Sequence, residues 1–233
     1  MLVLALDSTA VVATAALCEN DRVLAYRTES CGKKHSETLL PMVEALYRVA
    51  GRSISQTDLF ACSVGPGSFT GVRIGVATVK GLAFGGKSCV GVSTLEALAY
   101  NLEGHHGIIS PVMDARRGQL YNALFRWEGS CLVRLTPDRV IMIDDLAKEL
   151  ESVDGPIYFC GDGYSLVKGG IQLPNVMDTE EDKIDQSGVS VAKLAIKEYG
   201  EGWFVTDKEL RPTYLRAPQA ERERLERINK NQE

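Results

Sequence analysis

The chain has 233 residues, of which 45% are hydrophobic and 24% charged, a balance that excludes a mainly disordered, collagen-like or disulfide-scaffold protein and suits one large domain or two small ones. Its 26 lysines and arginines against 31 aspartates and glutamates leave a formal net charge of -5, which argues against a high-affinity nucleic-acid binder working alone. Residues 1–7 carry no basic leader, no run reaches the ~18 apolar residues of a membrane span, and six dispersed cysteines without a Cys-x-x-Cys pair read as buried thiols. The expectation is a soluble cytoplasmic globular protein.

Leu2 to Leu6 is an apolar run of strand length, ended by Asp7-Ser8-Thr9. Val11 to Leu17 and Val23 to Thr28 are further strand-like runs joined by the polar turn Glu19-Asn20-Asp21-Arg22, which predicts an antiparallel meander. From Ser36 the period changes: Leu39, Met42, Val43, Leu46, Val49 and Ala50 recur at three- and four-residue steps, the mark of an amphipathic helix stopped by Gly51. Pro41 either kinks that helix or marks its first turn. A strand is predicted at Leu59 to Val64, then a Gly65-Pro66-Gly67-Ser68 turn and a helix from Phe69 to Phe84. Another strand at Cys89 to Val92 and a short helix to Tyr100, capped by Ser93 or Thr94, complete a mixed sheet with helices packed on it.

Past Glu103-Gly-His-His-Gly107 the first pattern returns. Ile108 to Met113 reads as a strand ended by Asp114, followed by the turn Ala115-Arg116-Arg117-Gly118 and a strand from Gln119 to Phe125. Strand-like runs follow at Cys131 to Val140 and Ile157 to Cys160. Strand, aspartate, tight turn, strand thus occurs twice, at Asp7 and at Asp114, which predicts a duplicated α/β fold with a cleft between two lobes. The expected division is a first lobe at 1–103, a divergent second lobe at 104–216 and a solvated tail at 217–233.

Gly81 to Ser88 matches the G-x-x-x-x-G-K-[ST] phosphate-loop pattern, but a predicted helix precedes it and a strand follows, the reverse of the working order. Gly65-Pro66-Gly67-Ser68 does lie between a strand and a helix. It either holds an anion at the helix start or is a tight turn with Ser68 as N-cap. The three histidines, His35, His105 and His106, offer no i, i+4 metal pair, and no G-x-S-x-G elbow is present. On the helix from Phe69, Gly71, Gly75 and Thr78 line a small-residue stripe beside Val72, Val76 and Val79. Such a stripe either admits a partner helix or packs internally against the Ser36 to Ala50 helix.

The stretch Gly65-Pro-Gly-Ser-Phe-Thr-Gly-Val-Arg-Ile-Gly75 resembles the bacterial TsaB (YeaZ) family. Leu4-Ala-Leu-Asp7-Ser-Thr, His35-Ser-Glu-Thr-Leu-Leu-Pro41, Met113-Asp-Ala-Arg-Arg-Gly118 and Tyr214-Leu-Arg216 agree, so the likeness spans residues 1–216. It implies an actin-like, ASKHA-type (ribonuclease H-like) duplicated α/β fold. It also implies a non-catalytic subunit of the complex that transfers a threonylcarbamoyl group to the adenosine beside the anticodon of tRNAs. The implied partners are the catalytic relative TsaD and the ATPase TsaE, with tRNA met only within the complex; whether the chain alone forms a homodimer stays open. Where TsaD carries two metal-binding histidines, this chain has Thr94 and Leu98, neither able to replace an imidazole, so no catalytic residue and no metal is expected. The expected partner interface is His35, Leu39, Met42, Val43, Leu46, Gly71, Gly75, Val76, Thr78 and Val79. Asp7, Ser8, Thr9, Gly65 and Gly67 are expected to form at most a weak ATP or ADP site. The alternatives are a metal-dependent hydrolase or protease, or an ASKHA-type ATPase, acting alone.

Overall fold

The computed structural model describes residues 1–30 and 34–216, so the expected solvated tail at 217–233 and Cys31 lie outside the described residues. The first lobe opens with β1 (Leu2–Asp7), β2 (Val12–Glu19) and β3 (Arg22–Ser30), an antiparallel meander, followed by α1 (His35–Ala50), β4 (Leu59–Gly65), α2 (Phe69–Leu82), β5 (Ser88–Ser93) and α3 (Thr94–Tyr100). The second contains β6 (Ile108–Arg116), β7 (Gln119–Asn122), β8 (Phe125–Glu128), β9 (Cys131–Arg134), β10 (Arg139–Met142), α4 (Ile143–Leu150), β11 (Ile157–Cys160), α5 (Tyr164–Gly170) and β12 (Val176–Met177). The chain then returns to the first lobe as α6 (Gly188–Gly200) and β13 (Val205–Thr206).

The two sheets share one plan. In the first, the order is β13-β5-β4-β1-β2-β3, with β2 antiparallel and β4 parallel to β1. In the second, the path is β10-β7-β6-β11-β12, with β7 antiparallel and β11 parallel to β6. Each lobe therefore places its first strand at the centre, the next two strands of the path on one side and parallel strands on the other, with β13 added antiparallel at the outer edge of the first sheet. This is the duplicated actin-like, ribonuclease H-like α/β fold, with β8 and β9 added as a hairpin against β6.

The central strands are apolar without alternation because helices cover both of their faces. Leu4, Leu6 and Leu17 pack with Leu39, Met42, Val43 and Leu46 of α1 and Val72, Val76 and Val79 of α2. The opposite face, with Val3, Ala5 and Leu59, packs on Val191, Leu194 and Ala195 of α6. This corrects the division at residue 103/104: α6 and β13 lie in the second half of the chain but on the first sheet, because the α6 stripe completes the second face of β1 and β4. Gly188 at the start of α6 lies against the β2 backbone, where a Cβ would come within 2.8 Å of Ala15 C.

Two predicted strands divide. Gln119 to Phe125 breaks after Asn122, whose side-chain amide donates to Ser110 Oγ and to the carbonyls of Pro111 and Ala123. Cys131 to Val140 breaks around Pro137, which lacks the N–H a ladder requires. Helix α1 runs through Pro41 and closes with Gly51 at φ 63° and Arg52 N–H donating to Tyr47 O at 3.1 Å. Helix α2 precedes the Gly81 to Ser88 segment and β5 follows it; the Lys87 ammonium donates to Ser55 O and Thr57 O. Cys18, Cys62, Cys89 and Cys160 are buried, and burial pushes their thiols up; Cys131 is exposed, contrary to expectation, because it sits at the turn of the β8–β9 hairpin, as the first residue of β9. Among the described residues no helix is long and apolar enough to cross a membrane.

Candidate functional site

The predicted cleft exists. A cavity of about 430 Å³ lies between the lobes, lined by Thr9, Gly67, Asp114, Arg116, Asp162 and Tyr214 among others. Of the five residues expected to form a nucleotide site, Thr9 and Gly67 line this cavity; Asp7, Ser8 and Gly65 do not.

Asp7 is buried at the end of β1. Its Oδ1 accepts from the Thr9 N–H at 2.8 Å and the Thr9 hydroxyl at 2.7 Å, while Oδ2 is buried without a hydrogen bond. Burial pushes the Asp7 carboxyl up from its ordinary value, against the lowering effect of the Thr9 donors. The Ser8 hydroxyl donates to Gly71 O at 2.9 Å, and Ser68 N–H donates to Thr9 O at 2.7 Å. The polar groups after β1 therefore fasten the strand end to α2. Ser68 also caps that helix, its Oγ accepting from Gly71 N–H at 3.2 Å. A Cβ at Gly67 would come within 2.5 Å of Thr9 O, and one at Gly65 within 2.3 Å of Thr213 O. The loop glycines thus serve backbone approach within the chain.

On the opposite wall, Asp114 is engaged by its own turn: its Oδ1 accepts from Arg116 N–H at 2.7 Å and its Oδ2 pairs with the Arg116 guanidinium at 3.1 Å. Asp162 reaches the same place because Gly161 and Gly163 let the chain after β11 lie close to Val112 of β6, and its Oδ1 accepts from Asp114 N–H at 3.2 Å. Burial pushes Asp162 up to about 6; the Asp114 N–H opposes the shift, and the charges of Asp114 and Asp185 add to it.

The expected partner interface needs correction. Leu39, Met42, Val43 and Leu46 on α1, and Val76 and Val79 on α2, are buried in the chain's own core. A Cβ at Gly71 would lie 1.9 Å from Ser8 O, and one at Gly75 lies 2.8 Å from Ser8 Oγ. The small-residue stripe faces the end of β1, because that strand end must pass close to α2 to deliver its hydrogen bonds. His35 Nε2 lies 2.7 Å from Ala10 O, and Thr78 is half-buried. Exposed residues of the two helices include Leu40 (52% exposed), Ala77, Gly81 and, just past α2, Phe84 (82% exposed), together with the charged Glu37, Glu44, Arg48 and Arg73. Thr94 and Leu98 are buried, Leu98 packing with Leu95, Ile109 and Phe125.

The comparisons agree with this architecture. The family model described as TsaD, tRNA N6-adenosine threonylcarbamoyltransferase, matches residues 27–195. The tRNA threonylcarbamoyladenosine biosynthesis protein TsaB of Bacillus subtilis (strain 168) is 36% identical over 173 residues, 74% of this chain and 76% of that protein. The protein of the same name from Escherichia coli (strain K12) is 26% identical over 220 residues, 93% of this chain and 95% of its own length. The solved structure of YeaZ from Pseudomonas aeruginosa superposes with a TM-score of 0.77 at 27% identity, covering 92% of this chain and 99% of that one. The chain belongs to the TsaB (YeaZ) family of tRNA threonylcarbamoyladenosine biosynthesis proteins, within the wider family that the TsaD model describes.

Proposed function

We propose that the chain is the non-catalytic partner subunit of the complex that transfers a threonylcarbamoyl group to the adenosine next to the anticodon of tRNAs. It pairs with a TsaD-like catalytic relative and orders it, a TsaE-like ATPase joins them, and tRNA is met only in the cytoplasmic complex. The observation that carries this reading is the exposed surface of α1 and α2, where Leu40 of α1 and Phe84 just past α2 stand exposed and the small residues Ala77 and Gly81 of α2 are uncovered. Small residues let a second pair of helices approach closely while the apolar side chains supply area to bury. Two further observations support a subunit without its own chemistry. Thr94 and Leu98 are core residues where the relative's ligand histidines are expected. The Ser8 and Thr9 hydroxyls and one oxygen of Asp7 are hydrogen-bonded within the fold.

The same cleft geometry supports at most weak ATP or ADP binding by the lone chain. Because the same face could also pair two copies of the chain, the test is competitive. The purified chain is mixed with a TsaD-like protein of its own source and followed by sedimentation. A heterodimer forming at the expense of self-association is expected; no complex at micromolar concentrations would overturn the proposal. Turnover of ATP or a peptide by the isolated chain would favour the ATPase or protease alternative.

A further inference from the structure

The C-terminal stretch Leu210–Arg216 joins the two lobes directly. Leu210 is buried in the first-lobe core, and Lys80 of α2 donates to the carbonyls of Lys208 and Leu210. Thr213 N–H donates to Val64 O at 2.7 Å, at the end of β4. The Tyr214 ring packs on Phe69 at 4.8 Å between centroids, and its hydroxyl accepts from Arg73 Nε at 2.9 Å while the Arg73 guanidinium lies over Phe69. Two residues on, Arg216 crosses to the second lobe, where its guanidinium donates to Ala115 O at 3.1 Å and to the Gln119 side chain. Its target is the β6–β7 turn, whose Arg116 and Arg117 both adopt positive φ (67° and 59°), a conformation that non-glycine residues hold only where the surroundings determine it. Thr213, Tyr214 and Arg216 line the interlobe cavity.

We propose that Leu210–Arg216 is an interlobe strap: its Tyr214 end is clamped to α2, its Arg216 end holds the β6–β7 turn, and the cleft widens only when the strap lifts. Of the motif Tyr214-Leu215-Arg216, the tyrosine is then the first-lobe anchor and the arginine the second-lobe hook. Because the strap is covalently continuous, releasing either end loosens contacts in the opposite lobe. That long-range effect separates a strap from two unrelated local contacts, and it is independent of any partner.

The test is hydrogen exchange on the full isolated chain, comparing Arg73→Ala and Arg216→Ala with the parent. Arg73→Ala is expected to speed exchange by about tenfold at Ala115–Gln119, which Arg73 does not touch, and Arg216→Ala to do the same at Gly65–Val72, through local opening of otherwise intact lobes. Acceleration confined to each variant's own lobe, or none, would overturn the proposal. Should either alanine variant fail to fold, Tyr214→Phe keeps the ring on Phe69 and removes only its hydroxyl. It is expected to accelerate exchange at Ala115–Gln119 as well, and unchanged exchange there would equally overturn the strap.

Discussion

Ser8 and Gly71 are joined twice. The Ser8 hydroxyl donates to the Gly71 carbonyl at 2.9 Å, and the Ser8 carbonyl oxygen lies where a Cβ of residue 71 would stand, 1.9 Å from its ideal position. The glycine at this point of α2 is therefore a condition for β1 to reach the helix, and the same contact places Gly75 over Ser8 Oγ.

Gly75→Leu is accordingly expected to overpack the seam between β1 and α2 and to lower the stability of the isolated chain by ~1–3 kcal/mol. Urea unfolding monitored by circular dichroism checks this. An unchanged midpoint together with weakened association would return Gly75 to the partner surface.

Substitutions on the outward side behave oppositely. Phe84 is 82% exposed, so Phe84→Ser is expected to change monomer stability by no more than ~0.5 kcal/mol. Combined with Ala77→Arg, it is expected to weaken association with a TsaD-like partner by ~2 kcal/mol or more, the scale of a central interface residue. Sedimentation and thermal melting of the same double variant read both quantities; full association with normal melting would move the interface elsewhere.

Asp162 makes stability depend on pH in a direction opposite to that of an ion-paired carboxylate. Its carboxyl, raised from 3.8 to about 6 by burial, holds its proton more tightly in the folded chain than in the unfolded one. Its contribution is therefore fully present below pH ~4 and is lost as pH rises through ~6. Asp162→Asn, which keeps an oxygen for the Asp114 N–H, is expected to be more stable than the parent at pH 7, with the gain vanishing toward pH 4. Denaturant midpoints at pH 4, 5, 6 and 7 test this; a parallel offset at every pH would contradict it.

Nucleotide affinity is the fourth measurable consequence. With the Ser8 and Thr9 hydroxyls and one oxygen of Asp7 hydrogen-bonded internally, calorimetry of the isolated chain with ATP or ADP is expected to show no binding tighter than the micromolar range. Sub-micromolar affinity abolished by Thr9→Ala would place a working nucleotide site in the cleft.

The sequence by itself determined the duplicated architecture, because both signals are local. The strands Leu2–Asp7 and Ile108–Arg116 are largely apolar, the first ends in Asp7 and the second carries Asp114 near its end, and each is followed by a tight turn into an antiparallel neighbour. Helices α1 and α2 were legible from their three- and four-residue steps, and the Ser68 cap from the turn before it. Tertiary structure alone decided which side of those helices is free. A period states that one stripe is buried but not against what, and the Gly71–Gly75 stripe faces Ser8 only because β1 ends beneath α2. Likewise α6 returns over 80 residues to complete the first sheet, and Asp162 meets Asp114 across 48 residues. Arg216 reaches Ala115 over a span of 101. These pairings are set by where the lobes place their strand ends, a quantity that no local spacing encodes.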